Sequence, residues 1–253
     1  MKRQIIGVLG FIPGGTWCLK SYIHLKRSIR FSKMGNPKDV FTYFYMSNNW
    51  GNVESVSGHG STAEYTENIR KEIPRLLQQL NIDTIFDAPC GDYNWFRLIR
   101  HEKEFNYIGG DIVKPLIQKN KELYEDQDTQ FVELDIIRDK LPDAGLWLCR
   151  DCLFHFSYED IFTTIHNFLR SDIRYILTST HNECRKNRNI TTGDFRLINL
   201  ELPPFNFGKP KMYMKDWIDG FPVRHLALWD KEELSEVLSA NRQFRKTAKR
   251  SGQ

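Results

Sequence analysis

A doubly wound α/β sandwich, with helices on both faces of a mostly parallel sheet, is the fold class this sequence predicts. Three observations carry that prediction. Short apolar runs alternate with amphipathic segments through the middle of the chain, the pattern of repeated strand–helix–strand units. The first run, in "TIFDAPCGDYNWF", ends at Asp87 in a glycine turn, where an open sheet of this kind binds its ligand. The next two runs also end in an aspartate, Asp111 and Asp135.

The elements follow in chain order. Ser61 and Glu64 have the spacing of a capping box, and Ile69, Ile73, Leu76, Leu77 and Leu80 follow at helical intervals. Pro74 predicts a kink in that helix or the start of a second one. Strands are expected at 84–88, 107–113, 130–134, 146–149 and 174–178. Helices are expected between them at 95–100, at 114–125 with Pro115 in its first turn, and at 158–169. The last has Ser157 as its cap and buries Ile161, Phe162, Ile165, Phe168 and Leu169. After His181 the alternation stops. "ITTGDFRLINLELPPFNFGKP" is rich in turn residues and is expected to hold one strand, 195–200. A final strand at 224–229 should lead into a helix at 231–240, closing the sheet and its lid.

Composition bounds the function classes. A chain of 253 residues, 40% hydrophobic, can bury a substantial core. Five cysteines without regular spacing do not form a disulfide framework and fit reduced thiols in a cytoplasmic protein. The formal charge of +4 is unevenly placed. Residues 1–38 carry eight Lys/Arg and no acid, and residues 241–253 carry five more and no acid. What remains, residues 39–240, has 23 basic and 32 acidic residues, a net of −9. A basic binding face for nucleic acid is therefore not expected on the middle of the chain.

This divides the chain into a basic N-terminal arm (1–45), a folded domain (46–240) and a basic tail (241–253) expected to be disordered. Lys2 and Arg3 precede "IIGVLGFIPGGTWCL", which has the charged and apolar parts of a signal peptide. Its apolar run is broken by Gly10 and Pro13, lacks a small-residue cleavage site, and at about 15 residues is too short to span a bilayer. Lys20, Lys26, Arg27, Arg30 and Lys33, interleaved with Tyr22, Ile23, Leu25, Ile29 and Phe31, fit either a poorly ordered arm or a helix lying on an anionic membrane surface.

The turn after the first run narrows the ligand. A dinucleotide fingerprint needs three spaced glycines for close approach to a pyrophosphate. Here there is Gly91 alone, flanked by Asp87 and Asp92, whose carboxylates suit a cationic, amino-acid-bearing ligand. S-adenosylmethionine, with its ammonium and sulfonium, is such a ligand. Asp111 lies 24 residues after Asp87 at the end of the second run, where a carboxylate accepts ribose hydroxyls. Asp135 ends the third, placed for the exocyclic amine of an adenine, with Ile136 to pack on the ring.

These residues carry a family resemblance. From Trp50 to His181 the chain resembles class I S-adenosylmethionine-dependent methyltransferases: "FDAPCGD", "GGDIV", "ELDI" and "LWLCRDCLFHF" are similar to their first four motifs. "NNWG", "GHGST", "DAPCGDYNW", "NLELPPFNFGKP" and "LALWDKEEL" together resemble a bacterial-type subgroup. One departure is that Pro89 stands where the usual first motif has its first glycine. The resemblance implies a Rossmann-like domain using S-adenosylmethionine. It implies Asp87, Cys90 and Gly91 at the methionine part, Asp111 at the ribose, and Asp135 with Ile136 at the adenine. It also implies Arg150 and Asp151 under the methyl group or acceptor, with Trp50, Gly51, Ser61 and Thr62 closing over the cofactor.

Methyl transfer from a sulfonium is an in-line displacement in which positioning does most of the work. A hydroxyl acceptor also needs a base for its proton. His155 and His181 follow the fourth and fifth strands, so either can serve, with Asp151 as an orienting carboxylate; His59, between glycines, marks a loop over the site. No metal site is expected, since Cys149 and Cys152 straddle a strand end without a second pair. Tyr93, Trp95, Phe205, Phe207, Tyr213, Trp217 and Trp229 are core or lid residues, or a platform for a sugar. The leading expectation is methylation of a small molecule or glycan at oxygen. The alternatives are an RNA methyltransferase, weakened by "RDCL" standing where an Asn/Asp-Pro-Pro-aromatic motif would, and a non-catalytic cofactor-binding module.

Overall fold

The computed structural model describes residues 34–99 and 105–241, together with Phe31, Phe244 and Thr247. Seven strands form one sheet: β1 (Thr84–Asp87), β2 (Asn106–Asp111), β3 (Thr129–Glu133), β4 (Leu146–Cys149), β5 (Tyr175–Thr180), β6 (Met212–Lys215) and β7 (His225–Asp230). Their order is β3-β2-β1-β4-β5-β7-β6. The first five are parallel, and β7 runs antiparallel to both β5 and β6. The fold is thus Rossmann-like and doubly wound. The chain winds outward from β1 to β3 and then returns to β4 beside β1, so the switch point lies at the carboxyl ends of β1 and β4.

Helices cover both faces: α1 (Pro37–Met46), α2 (Glu67–Gln79), α3 (Lys114–Tyr124), α4 (Tyr158–Arg170) and α5 (Lys231–Ser239). Side chains along a strand point alternately to the two faces, and β1 and β4 divide accordingly. Ile85, Leu146 and Leu148 pack with Ile69, Ile73, Leu76 and Leu77 of α2. Phe86, Trp147 and Cys149 pack with Ile161, Phe162, Ile165 and Phe168 of α4. Each large apolar side chain so buried contributes about 1.5–3 kcal/mol. Trp147 also donates its indole N–H to Ala88 O at 2.9 Å, fixing the start of the loop after β1.

The departures from the predicted elements have local causes. The capping box at Ser61 does not form, because Glu54 from the preceding loop accepts the Ala63 N–H at 2.7 Å and Thr62 folds back on His59. The helix starts instead at Glu67, after Thr66, and Pro74 lies inside one continuous helix. The segment expected as a helix at 95–100 forms a single 3-10 turn, Phe96–Leu98. The strand expected at 195–200 is absent. Burial alternates from Phe195 to Ile198 and then stops, since Asn199 and Leu200 are both buried, and the N–H groups of Arg196, Ile198 and Leu200 go to Phe154 O, His181 Nδ1 and Thr180 Oγ1 in place of a ladder. The short edge strand β6, with only Met214 buried among its four residues, and helix α1 have no counterpart in the sequence prediction. The latter is capped by Asn36, whose side chain accepts the Asp39 N–H at 2.9 Å. Though α1 falls almost wholly within the stretch assigned to the basic arm, it buries Val40 and Phe44.

No helix among the described residues is long and apolar enough to cross a membrane. The signal-peptide and membrane readings rest on residues 1–30, 32 and 33, outside the described residues, as is most of the tail.

Candidate functional site

A cleft of about 370 Å³ opens at the switch point, lined by the loops that follow β1, β2, β3, β4 and β5. On one side stand the three acids that end successive strands. Asp87, only 2% exposed, accepts a hydrogen bond from the Tyr107 hydroxyl at 2.8 Å, and burial pushes its carboxyl up to about 7. Asp111 accepts the N–H groups of Gly91 at 3.2 Å and Val113 at 3.0 Å; burial still pushes it up to about 6. Among the described residues, the ion pairs of the cleft leave both carboxyls out. Asp135 lies beyond β3, accepting the Ile137 N–H at 2.9 Å and pairing with Arg138 at 3.2 Å, and burial raises it too. Ile136 lines the same wall with Ile112, Val113, Leu116 and Leu134, giving an apolar slot with a carboxylate at its end.

Gly91 turns the chain between these acids. Its φ of +57° is left-handed, and a Cβ there would collide with Ser57 Oγ of the loop crossing above it. That loop explains Asp92, which does not face the ligand space as the sequence implied. Its carboxylate accepts from Ser55 Oγ at 2.9 Å, Val56 N at 2.9 Å and Ser57 Oγ at 3.1 Å, and so ties the loop over the glycine turn. Ser61 lines the cleft, its carbonyl held by Asn94 Nδ2 at 3.0 Å. Cys90 and Trp50 line it as well, Trp50 packing edge-on against Phe44 at 5.3 Å. Thr62 stands behind the wall, its hydroxyl donating to His59 O at 3.0 Å.

The opposite side is built from charges that pair. Arg150, buried after β4, donates from Nε and Nη2 to Asp216 at 3.0 and 2.9 Å and from Nη2 to Gly60 O at 2.6 Å. Burial works against its charge, but Asp151 and Asp216 outweigh that and hold the guanidinium above its ordinary value. Arg224 pairs with Asp151 at 2.5 Å and with Asp216 at 2.9 Å. Tyr65 lies against both guanidiniums, at 5.8 Å from Arg150 and 5.1 Å from Arg224. Burial would raise the Asp151 carboxyl, yet Arg150 and Arg224 hold it below the usual range. Its backbone is left-handed, φ +55°, strain of about 1–3 kcal/mol for a residue other than glycine. The carboxylate offered by the sequence to orient a histidine is thus engaged by two guanidiniums.

Both histidines line the cleft. The Phe154 ring lies 4.7 Å from His155 and 5.5 Å from His181. His155 Nδ1 is 2.9 Å from Asp194 O. His181 Nδ1 accepts the Ile198 N–H at 3.3 Å, and burial pushes that ring down to about 4. His59 sits at the rim against Phe221, 4.7 Å away, and Tyr65. Of the aromatics singled out in sequence, Trp95 lines the cleft, while Phe205, Phe207 and Trp229 belong to the core. The aromatic walls come instead from Phe41, Tyr45, Phe154, Phe156, Phe195 and Phe221. Sequence reasoning also missed Asp216 and Arg224. Only their place beside the closing strands could have flagged them. Among the described residues no three His, Cys, Asp or Glu converge as metal ligands.

No sequence-family profile and no curated protein sequence matches the chain. Solved structures do resemble it in fold. Magnesium protoporphyrin IX methyltransferase from Synechocystis, solved with S-adenosylmethionine bound, is 12% identical, with a TM-score of 0.52 over 77% of this chain and 97% of that one. The methyltransferase domain of bacterial CtHen1 gives a TM-score of 0.51 at 13% identity, over 66% and 98% of the two chains. The N-methyltransferase NodS from Bradyrhizobium japonicum gives 0.50 at 11% identity, over 66% and 96%. The sheet and its flanking helices are therefore an arrangement shared with methyltransferases of known structure.

Proposed function

We propose that this chain is an S-adenosylmethionine-dependent methyltransferase acting at a hydroxyl of a small molecule. The observation that carries the reading is the convergence of Asp87, Asp111 and Asp135 with Ile136 on one cleft, around the left-handed Gly91 turn. Two buried carboxyls outside the ion pairs of the cleft suit a ligand bearing an ammonium and hydroxyls, since its charge and donors would offset the cost of their burial. Asp87, Cys90 and Gly91 would hold the methionine part, Asp111 the ribose, and Asp135 with Ile136 the adenine. Trp50 and Ser61 would border the site from the N-terminal side, and Thr62 would support that wall. The bound cofactor supplies an electrophilic methyl group.

The chain's own contribution is placement. Arg150, Asp216, Arg224 and Asp151 form a rigid, charge-balanced floor, and Phe154, Phe195 and Phe221 an apolar wall for the acceptor. An acceptor with a substantial apolar or planar part fits such a wall better than a uniformly polar glycan, and an acid-lined cleft gives no purchase to an RNA backbone. Methyl-labelled cofactor offered with a panel of small hydroxylated aromatics, soluble oligosaccharides and total RNA tests this. Label should pass to a small hydroxylated molecule; label passing to RNA alone would overturn the acceptor class.

A further inference from the structure

The segment Gly193–Ile198, which overlaps the strand expected at 195–200, braces the acceptor side of the cleft. Gly193 N donates to His155 O at 2.8 Å, Arg196 N to Phe154 O at 3.2 Å, and Arg196 Nη1 to Leu153 O at 3.0 Å. All three carbonyls of the short turn carrying His155 are thereby fixed from one side. Arg196 does this from full burial, at 2% exposure.

The same segment meets both histidine rings, and it meets them with opposite chemistry. The Asp194 carbonyl lies 2.9 Å from His155 Nδ1. A carbonyl has no proton to give, so Nδ1 carries the hydrogen, and in the neutral ring the lone pair is on Nε2. At His181 the backbone N–H of Ile198 points at Nδ1, 3.3 Å away, while His181 N donates to Ile198 O at 2.7 Å. A backbone N–H cannot accept, so here Nδ1 carries the lone pair and Nε2 the hydrogen. Two histidines lining one cleft are held in opposite tautomers by residues four apart.

We propose that this segment divides the work at the acceptor between the two rings: His155 Nε2 takes the hydroxyl proton, and His181 Nε2–H is a fixed donor to a second oxygen of the acceptor. The assignment rests, for its catalytic meaning, on the methyltransferase reading. The acceptor's O–H bond breaks toward His155 Nε2, and the freed oxygen pair forms the new O–C bond to the transferred methyl. The pair of the broken S–C bond stays on the departing sulfide, and the His155 imidazolium returns its proton to solvent. Burial and then Arg224 and Arg196, against Asp151 and the Ile198 backbone, push the His181 ring down to about 4, so it keeps one role at working pH. The acceptor class that matches carries a hydroxyl beside a second, hydrogen-bond-accepting oxygen.

The tautomers can be read without knowing the acceptor. Long-range ¹H–¹⁵N correlation spectra of the uniformly ¹⁵N-labelled full chain, between pH 6 and 8, should show His155 protonated at Nδ1 and His181 at Nε2. His155→Gln and His181→Gln supply the assignments. A shared tautomer, or His181 as imidazolium at pH 6, would overturn the proposal. If a variant does not fold, diethyl pyrocarbonate on the wild-type chain gives a second reading, since it acylates an unprotonated ring nitrogen. His155 should be modified before His181, and the reverse order would overturn the proposal. S-adenosylhomocysteine binding with the wrong tautomers defeats this inference alone, whereas correct tautomers without binding defeat the functional reading alone.

Discussion

The two sides of the cleft solve the burial of charge in opposite ways. At the ends of β1 and β2, Asp87 and Asp111 are buried with neutral donors for company, a tyrosine hydroxyl and backbone N–H groups, and their carboxyls are pushed up to about 7 and 6. Past β4, past β6 and just before β7, Arg150, Asp151, Asp216 and Arg224 neutralise one another within hydrogen-bonding distance. The first arrangement is costly until a ligand arrives. The second is complete without one. On the proposed reading, the first side supplies binding capacity and the second rigidity.

The largest expected effect breaks the second side. Asp216→Ala leaves two buried guanidiniums short of their shared partner and should destabilise the protein by about 3–5 kcal/mol in chemical denaturation. A loss below about 1 kcal/mol would show that the network is not what holds this floor. On the first side the sign reverses for stability. A carboxyl whose folded value is raised binds more protons folded than unfolded between its ordinary value and the raised one, so stability falls as pH rises through that window. Asp87→Asn should therefore make the ligand-free protein more stable at pH 8, and flatten the fall in stability between pH 4 and 7 that wild type shows.

Ligand affinity sharpens the contrast. Asp111→Ala should weaken S-adenosylhomocysteine binding by about 1–3 kcal/mol, the cost of leaving hydroxyls unpaired, with no comparable loss of stability. In wild type, the same affinity should drop by about tenfold or more from pH 8 to pH 5.5, as Asp87 and Asp111 take up protons; a pH-independent affinity would separate these carboxyls from the ligand. The smallest effect belongs to Thr62, behind the wall. Thr62→Ala should cost about 1 kcal/mol of stability and leave affinity within about twofold, and a larger loss of affinity would bring Thr62 into the site.

The same contrast decides what the sequence made legible. Asp87, Asp111 and Asp135 each follow their own strand by zero or two residues, so reading the strands places the acids. The four charges of the other side come from the loop after β4, the segment after β6 and the approach to β7. Their meeting depends on β7 folding back antiparallel beside β5, which local pattern does not encode. Asp92 misled because a carboxylate beside a glycine turn looks the same in sequence whether it meets a ligand or ties down a loop. The segment 195–200 misled for a related reason. Burial alternates only from Phe195 to Ile198, since Asn199 and Leu200 are both buried, and the neighbours that take the segment's backbone hydrogen bonds are a turn and a histidine ring far off in sequence. Helix α1 was hidden by the basic residues before it, which drew its stretch into the arm.

On the proposed function, the acidic side of the cleft holds an S-adenosylmethionine-type ligand. Calorimetric titration of the full chain with S-adenosylhomocysteine at pH 8, beside the same titration with NAD, tests it most directly. One site per chain is expected for S-adenosylhomocysteine, with affinity in roughly the micromolar range, and no measurable binding of NAD, whose pyrophosphate the carboxyls of Asp87 and Asp111 would repel. Binding of NAD without S-adenosylhomocysteine, or of neither, would contradict it.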